Sequence, residues 1–188
     1  MIQNKFFSLP MMFVLSLFAM TVLLSSACNR DDDDNNPNEE ELITSVILTF
    51  TAPGGANTSF SFKDTDGDGG ADPVVQNITL AAATNYTLAV KFLDESNPAD
   101  VEDITVEVEE ESADHLVCFT TEGGVPQPTI DDTDGNGKPL GLSSKVVTTT
   151  AGTGKITVSL KHQPDKNAAT PCSTGDTDVE ATFNVAIN

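Results

Sequence analysis

Short segments in which apolar and polar residues alternate follow one another along most of the chain. They are rich in β-branched and aromatic residues and are separated by Gly, Asp, Asn and Pro, so they predict strands. The predicted strands cover residues 44–51, 58–62, 86–92, 104–109, 115–120, 144–149, 156–161 and 179–187. About nine or ten short strands predict an all-β fold, a two-sheet β-sandwich or, as the alternative, a closed β-barrel.

A weak two-fold repeat runs through this strand-rich region. Residues 62–69 (Phe-Lys-Asp-Thr-Asp-Gly-Asp-Gly) are similar to residues 130–137 (Ile-Asp-Asp-Thr-Asp-Gly-Asn-Gly). Each motif is followed, at nearly the same distance, by a similar strand segment, residues 86–91 (Tyr-Thr-Leu-Ala-Val-Lys) and 156–161 (Ile-Thr-Val-Ser-Leu-Lys). We therefore predict two similar β modules that face each other; two copies are too few for a solenoid.

The N-terminal residues depart from the strand pattern. Residues 1–27 contain one charge, Lys5, then an apolar run from Met11 to Leu24 and a small-residue segment, 25–27. A short basic region, an apolar region and small residues before a cleavage point are typical of a secretory signal peptide. The alternative is a transmembrane helix, but the apolar run is short for one. We predict a signal peptide over 1–27.

Residues 24–28, Leu-Ser-Ser-Ala-Cys, resemble the lipobox of bacterial lipoproteins, although the leucine lies one position further from the cysteine than usual. The resemblance implies that Cys28 is acylated, with palmitate or a similar chain, and becomes the new N-terminus. A single acyl chain binds a membrane only marginally, whereas two or three give a durable anchor. The membrane is therefore an expected partner, through lipid at Cys28.

Residues 28–41 are predicted to form a disordered tether between this lipid and a single domain over 42–188. Residues 29–41 have no apolar side chain and include four consecutive aspartates, Asp31–Asp34, so the segment cannot bury enough surface to fold. The acidic run resembles the surface-export signal of some Gram-negative lipoproteins. That resemblance implies an outer-membrane protein exposed at the cell surface; the alternative is a plain solvated spacer.

The chain is strongly acidic, with a formal net charge of −20 at pH 7. Such a surface repels nucleic acid, so no nucleic-acid partner is expected. An acidic surface either attracts cations or only keeps the protein soluble, and both alternatives stay open.

Two Asp-rich turns are candidate Ca²⁺ sites. Their candidate ligands are Asp64, Asp66, Asp68 and Asp72 in the first turn and Asp132, Asp134 and Asn136 in the second. The spacing around a glycine resembles EF-hand, dockerin and thrombospondin loops, in which carboxylate oxygens surround the ion. The first turn has Val75 where those loops place a closing acidic residue. The alternative is that both segments are ordinary hairpin turns, which also favour Asp-Gly and Asn-Gly.

The two histidines, His115 and His162, are a candidate transition-metal pair. Each lies at the end of a predicted strand beside a carboxylate, Asp114 or Asp165. If the two strands are neighbours, two imidazoles and one carboxylate can hold Zn²⁺ or another transition metal. The alternative is that His162 is a hydrogen-bonded residue at a strand end.

Two further cysteines remain once Cys28 is assigned to lipid. In an oxidising extracytoplasmic compartment Cys118 and Cys172 can pair. Equally, Cys118 can be a buried apolar residue and Cys172 a free thiol. Cys118 and His115 are three residues apart on one strand and point to opposite faces, which argues against a catalytic dyad. No catalytic residue is predicted, and the protein is not expected to be an enzyme.

The body resembles a family of small Gram-negative surface lipoproteins. The resemblance rests on the paired Asp-Thr-Asp-Gly turns, residues 161–165 (Lys-His-Gln-Pro-Asp) and the ending 175–183. Members are sometimes labelled with a type 1 periplasmic binding fold, but that fold alternates strands with helices over a longer chain. The resemblance implies an extracytoplasmic binding or accessory lipoprotein serving an outer-membrane uptake system, with a transporter as partner. The alternative is a structural or adhesive surface module with calcium-stiffened loops.

Overall fold

A computed structural model describes residues 41–67 and 70–188 of the chain. The predicted signal peptide, Cys28, the Asp31–Asp34 run, the tether up to residue 40, and Asp68 lie outside the described residues. None of the described helices is long and apolar enough to cross a membrane.

Ten strands in the described residues form two sheets. The strands are β1 (Ser45–Thr51), β2 (Asn57–Lys63), β3 (Val74–Val75), β4 (Ile78–Leu80), β5 (Asn85–Leu93), β6 (His115–Gly123), β7 (Thr129–Ile130), β8 (Ser143–Val147), β9 (Gly152–His162) and β10 (Asp176–Ile187). One sheet has the order β3-β2-β1-β5-β8-β7 and the other the order β4-β10-β9-β6. Neither sheet closes into a barrel, so the predicted all-β sandwich is confirmed.

The core lies between the two sheets and follows from the alternation in the sequence. Every second residue of the central strands is buried, and together these residues form one apolar cluster. Its members include Val46, Leu48 and Phe50 of β1, Leu88, Val90 and Phe92 of β5, Ile156, Val158 and Leu160 of β9, and Ala181, Phe183 and Val185 of β10. Burying each large side chain stabilises the fold by about 1.5–3 kcal/mol before entropy is subtracted.

The prediction of a strand over residues 104–109 is wrong. Ile104–Glu110 form a short helix, α1, in the connection between β5 and β6. Ile104 and Val108, one helical turn apart, are buried, whereas Val106 is 52% exposed. The strand β8 pairs with β5 only as far as Ala89, so the edge of β5 at Phe92 has no described strand partner on that side. The helix instead packs beside β5, where the Phe92 N–H donates to Oγ1 of Thr105 at 2.9 Å.

The two repeated Asp-rich motifs occupy corresponding connections. The first joins β2 to β3 and the second joins β7 to β8, at opposite edges of the six-stranded sheet. The strands that the repeat aligns, β5 and β9, lie in different sheets. Three of the strands, β3, β4 and β7, are only two or three residues long and were not predicted individually.

A disulfide joins Cys118 of β6 to Cys172, with the Cα atoms 5.8 Å apart. The neighbours of Cys118, Val117 and Phe119, belong to the core, so Cys118 points away from it. The bond therefore fastens the segment 163–175, which follows β9, against the outer side of the smaller sheet. Of the two alternatives that the sequence left open for these cysteines, the structure therefore has the disulfide.

Candidate metal centre

The two histidines are direct cross-strand neighbours. His115 begins β6, His162 ends β9, and these two strands pair antiparallel with His115 opposite His162. The centroids of their imidazole rings are 5.0 Å apart. Directly opposite residues point to the same face of a sheet, and here that face carries Val117 and Leu160 into the core. The histidines therefore lie at one end of the sandwich interior, and the condition on which the predicted metal pair depended, neighbouring strands, is met.

Two carboxylates complete the group, and neither was expected. Glu41 Oε1 lies 2.8 Å from His115 Nε2, and Glu41 Oε2 lies 3.6 Å from His162 Nδ1. Asp178 Oδ1 lies 3.7 Å from the same His162 nitrogen. One ligand atom of each of the four side chains lies within 4.8 Å of the other three. We call Glu41, His115, His162 and Asp178 the metal centre.

Asp178 reaches the centre because β10 is irregular at this point. In the pairing with β9, Thr177 lies opposite Lys161 and Val179 lies opposite Leu160, so Asp178 is an additional residue. Such a bulge redirects the side chain that it carries, and bulges are common beside functional sites. The Asp178 side chain is consequently fully buried.

Two local contacts hold the histidines in place. The Nδ1 of His115 lies 3.2 Å from the carbonyl oxygen of Glu111, which follows α1. Donation from Nδ1 to this carbonyl directs Nε2 toward Glu41, in the manner of the outer contacts that orient metal-binding histidines. At the other histidine, Gly175 lies so close that a Cβ there would be 2.2 Å from the His162 carbonyl oxygen, with a φ of +71°. Only glycine allows the disulfide-linked segment to pack this closely behind His162.

Burial and neighbouring charges shift the pKa values of three side chains in the metal centre. Burial alone would lower the pKa of His115, but the hydrogen bond and the charge of Glu41 raise it overall. Burial, the largest single effect, works to raise the pKa of Glu41, but the hydrogen bond from His115, a backbone hydrogen bond and the positive charge of the histidines together outweigh it, so this pKa is lowered. Burial and the nearby charge of Glu41 raise the pKa of Asp178 to about 7.

Several oxygens of the centre have no hydrogen-bond partner among the described residues. They are Oε2 of Glu41 and both carboxylate oxygens of Asp178. The four side chains are between 0% and 8% exposed. Buried carboxylates are normally hydrogen-bonded or paired, because an uncompensated buried charge is costly. A proton or a cation bound between these oxygens would remove that cost.

The spacing of the group suits a small divalent ion. A tetrahedral ion with nitrogen and oxygen ligands at about 2.0–2.2 Å keeps its ligand atoms about 3.4 Å apart. The three nitrogen–oxygen distances given above, 2.8, 3.6 and 3.7 Å, lie on both sides of that value. Small rotations of the side chains are enough to equalise them, so the residues fit an ion of this class.

The carboxylates that the sequence suggested beside the histidines do not contribute. Asp114 and Asp165 are exposed, and the Asp165 side chain accepts the N–H of Asn167 at 2.9 Å. That part of the prediction is wrong. Asp178 could have been noticed as an acidic residue where β10 turns from polar to apolar, whereas nothing in the local sequence distinguishes Glu41 from the acidic run before it.

The first Asp-rich turn does not gather its described carboxylates. Asp66 accepts the N–H of Ala71 at 2.9 Å, as in an ordinary turn, and Oδ1 of Asp64 has no hydrogen-bond partner among the described residues. Asp64, Asp66 and Asp72 do not form a group with oxygens within 4.8 Å of one another in the described part of the chain. Because Asp68 lies outside that part, calcium binding at this turn stays a prediction.

The second Asp-rich turn uses its carboxylates within the fold. Asp132 accepts the N–H groups of Gly141 and Ser143, at 2.7 and 2.9 Å. Asp134 accepts the N–H groups of Asn136 and Lys138 and pairs with Nζ of Lys166 at 3.0 Å. The side chains of Asp134 and Lys166 are 1% and 6% exposed, so lysine supplies the positive charge at this turn. The contacts favour a structural role for Asp132, Asp134 and Asn136 over the predicted calcium site.

A cavity of about 480 Å³ opens beside the metal centre. Glu41 and Asp178 form part of its wall, together with Thr44, Phe62, Asp64, Thr177 and Glu180 among others. The cavity connects the centre with the strand β2 and the start of the first Asp-rich turn.

Fold and site together define an acidic β-sandwich with a buried centre of two imidazoles and two carboxylates. No protein-family model, curated protein or solved structure matches the chain. The assignment of a function therefore depends on the chemistry of this centre.

Proposed function

We propose that this chain is a lipid-anchored extracytoplasmic binding protein whose ligand is a divalent transition-metal ion, held by Glu41, His115, His162 and Asp178. Two facing imidazoles converge on buried carboxylate oxygens that have no hydrogen-bond partner in the described part of the chain, and this observation carries the proposal. A divalent cation neutralises both carboxylates, so it removes the cost of burying them.

The ligand atoms favour Zn²⁺ and similar ions over calcium and magnesium. Two nitrogens and two carboxylate oxygens form a mixed set of four, which suits a tetrahedral ion of borderline softness. Calcium takes six to eight oxygens and magnesium an octahedral shell with several waters. We therefore expect Zn²⁺, with Co²⁺ as a spectroscopic substitute.

Four protein ligands also favour binding over catalysis. Catalytic zinc sites usually keep one position for water or substrate, whereas four protein side chains fill a tetrahedral shell. We therefore propose no enzymatic activity for the centre. The alternative function, a surface module with calcium-stiffened loops, has weaker support because the second Asp-rich turn already pairs its buried carboxylate with Lys166.

The N-terminal residues suggest where in the cell the proposed metal site would lie. Acylation of Cys28 would hold the domain at the outer membrane, and the Asp31–Asp34 run would direct it to the cell surface. There a metal-binding domain would serve as an accessory to an outer-membrane uptake system. This part of the proposal rests on the resemblance of the N-terminal residues to lipoprotein signals, and the metal site rests on the contacts of the centre.

The test is the metal content of the purified lipoprotein. Full-length protein in detergent is stripped with a chelator, equilibrated with Zn²⁺, freed of excess metal and analysed by plasma mass spectrometry. Wild type should retain about one Zn²⁺ per chain, and His162→Gln should retain far less. Glu122→Gln is the control, since Glu122 is an exposed acid seven residues along β6 from His115, about 23 Å away. Wild type without zinc, or equal content in all three proteins, would contradict the proposal.

A further inference from the structure

The cavity beside the metal centre continues along the acidic side of the sandwich. A second cavity, also of about 480 Å³, shares Phe62, Asp64 and Glu180 with the first and extends to Asp72. The two cavities therefore lie side by side, and together we call them the acidic passage. It runs from Asp72 of the first Asp-rich turn to Asp178 of the metal centre.

The wall of the acidic passage has a single sign of charge. Asp72, Asp64 and Glu180 lie along it, and none of its described lining residues is lysine, arginine or histidine. At its inner end its wall includes Asp178, whose fully buried side chain lies behind that wall and whose oxygens have no hydrogen-bond partner among the described residues. Asp64 lines both cavities, and its own Oδ1 also lacks a partner there.

We infer that the acidic passage is the entrance of the metal centre and that it admits the free hydrated cation and rejects anionic metal chelates. This inference rests on the proposed function and names the form in which the metal arrives. It also gives the first Asp-rich turn a role, because Asp64 and Asp72 attract the ion on its way to the centre.

The dimensions and the charge of the passage both support the inference. Six water molecules occupy about 180 Å³ as liquid, so a hydrated ion fits either cavity before it loses its shell. A cleft lined by one sign of charge concentrates counter-ions and accelerates their association by 10- to 1,000-fold, an effect that salt weakens. The same field repels a chelate of negative charge.

The test compares association rates of Co²⁺ with the stripped full-length lipoprotein, followed by the visible absorption of the bound ion in stopped flow. The double variant Asp64→Asn/Glu180→Gln should bind about three- to tenfold more slowly at low salt, and the difference should shrink at high salt. Its metal content and its dissociation rate should match wild type. The control, Asp131→Asn/Glu122→Gln, removes two exposed charges that line neither cavity and should bind at the wild-type rate.

A second arm offers the metal as its anionic complex with nitrilotriacetate. Wild type should take up Co²⁺ no faster than the complex releases the free ion, whereas direct uptake from the intact complex would overturn the inference. Equal association rates in the Asp64→Asn/Glu180→Gln variant and the control would also overturn it, while leaving the metal centre intact. Failure of wild type to bind Co²⁺ at all would overturn both the inference and the proposed function.

Discussion

His115 and His162 face each other across adjacent strands, and both contact the same carboxylate, Glu41. Donation from both nitrogens of His115, to Glu111 and to Glu41, requires a charged imidazolium. A metal ion on Nε2 of His115 would take the place of that proton. The centre therefore has two forms in which its charges balance, one protonated and one metal-bound, and pH decides between them.

We predict that Zn²⁺ stabilises the protein more at pH 8 than at pH 5.5. The pKa of Asp178 is raised from 3.8 to about 7, so its contribution to stability is complete below about pH 4 and is lost as the pH rises through 7. The pKa of His115 is raised above 6.5, so its contribution is likewise lost as the pH rises through that higher value. Glu41, with a lowered pKa, changes protonation only on the acid side of this range.

The metal competes with those same protons. Each proton that leaves on binding changes the apparent affinity about tenfold per pH unit while the group remains protonated. Differential scanning calorimetry with and without Zn²⁺ at both pH values measures the effect. A ligand at 100 times its dissociation constant stabilises by about 2.7 kcal/mol. A zinc-induced rise in melting temperature that is equal at the two pH values, or larger at pH 5.5, would contradict the prediction.

Asp178→Asn should have opposite effects on the apo protein and on metal binding. At pH 8 the variant removes a buried negative charge that lies near Glu41 and has no hydrogen-bond partner within residues 41–67 and 70–188. The metal-free protein should therefore unfold at a higher temperature than wild type. The same change removes a ligand and should weaken Zn²⁺ binding at least tenfold. Such a trade between stability and binding is characteristic of a functional residue.

Calorimetry of the stripped proteins and titration with Zn²⁺ measure the two effects separately. Glu122→Gln is again the control, since Glu122 is an exposed acid at the far end of β6 from His115, and it should change neither quantity appreciably. If Asp178→Asn lowers the stability of the apo protein and leaves zinc affinity unchanged, the buried carboxylate has only a structural role.

The sequence alone was sufficient to predict the fold class and two of the four residues of the metal centre, His115 and His162. Alternation of apolar residues located the long strands, and the position of His115 and His162 at strand ends indicated a possible pair. Alternation failed at Ile104–Glu110, because Ile104 and Val108 satisfy a helical spacing as well as a strand spacing. The contact of the carboxylates with the histidines could not be predicted, because Asp178 reaches them through a bulge that exists only in the pairing of β10 with β9, and Glu41 comes from a distant part of the chain.

Loss of the Cys118–Cys172 disulfide should weaken both the fold and the metal centre. The bond closes a loop with a sequence separation of 54, for which the loss of chain entropy corresponds to about 4 kcal/mol. It also fastens the segment in which Gly175 packs behind His162. The variant Cys118→Ala/Cys172→Ala should therefore unfold at lower urea concentration and bind Zn²⁺ less tightly. Unchanged zinc affinity would show that the segment does not position His162.

The last prediction separates the lipid anchor from the metal site. Cys28→Ser should abolish incorporation of radiolabelled palmitate and release the protein from the membrane fraction, because the proposed acyl chains supply the attachment. Zinc binding by the released protein should equal that of wild type, since all four ligands lie between residues 41 and 178. The Cys118→Ala/Cys172→Ala variant is the control and should keep its label, as its cysteines pair with each other. Equal labelling of Cys28→Ser and wild type would contradict the lipoprotein assignment, whatever the zinc content proves to be.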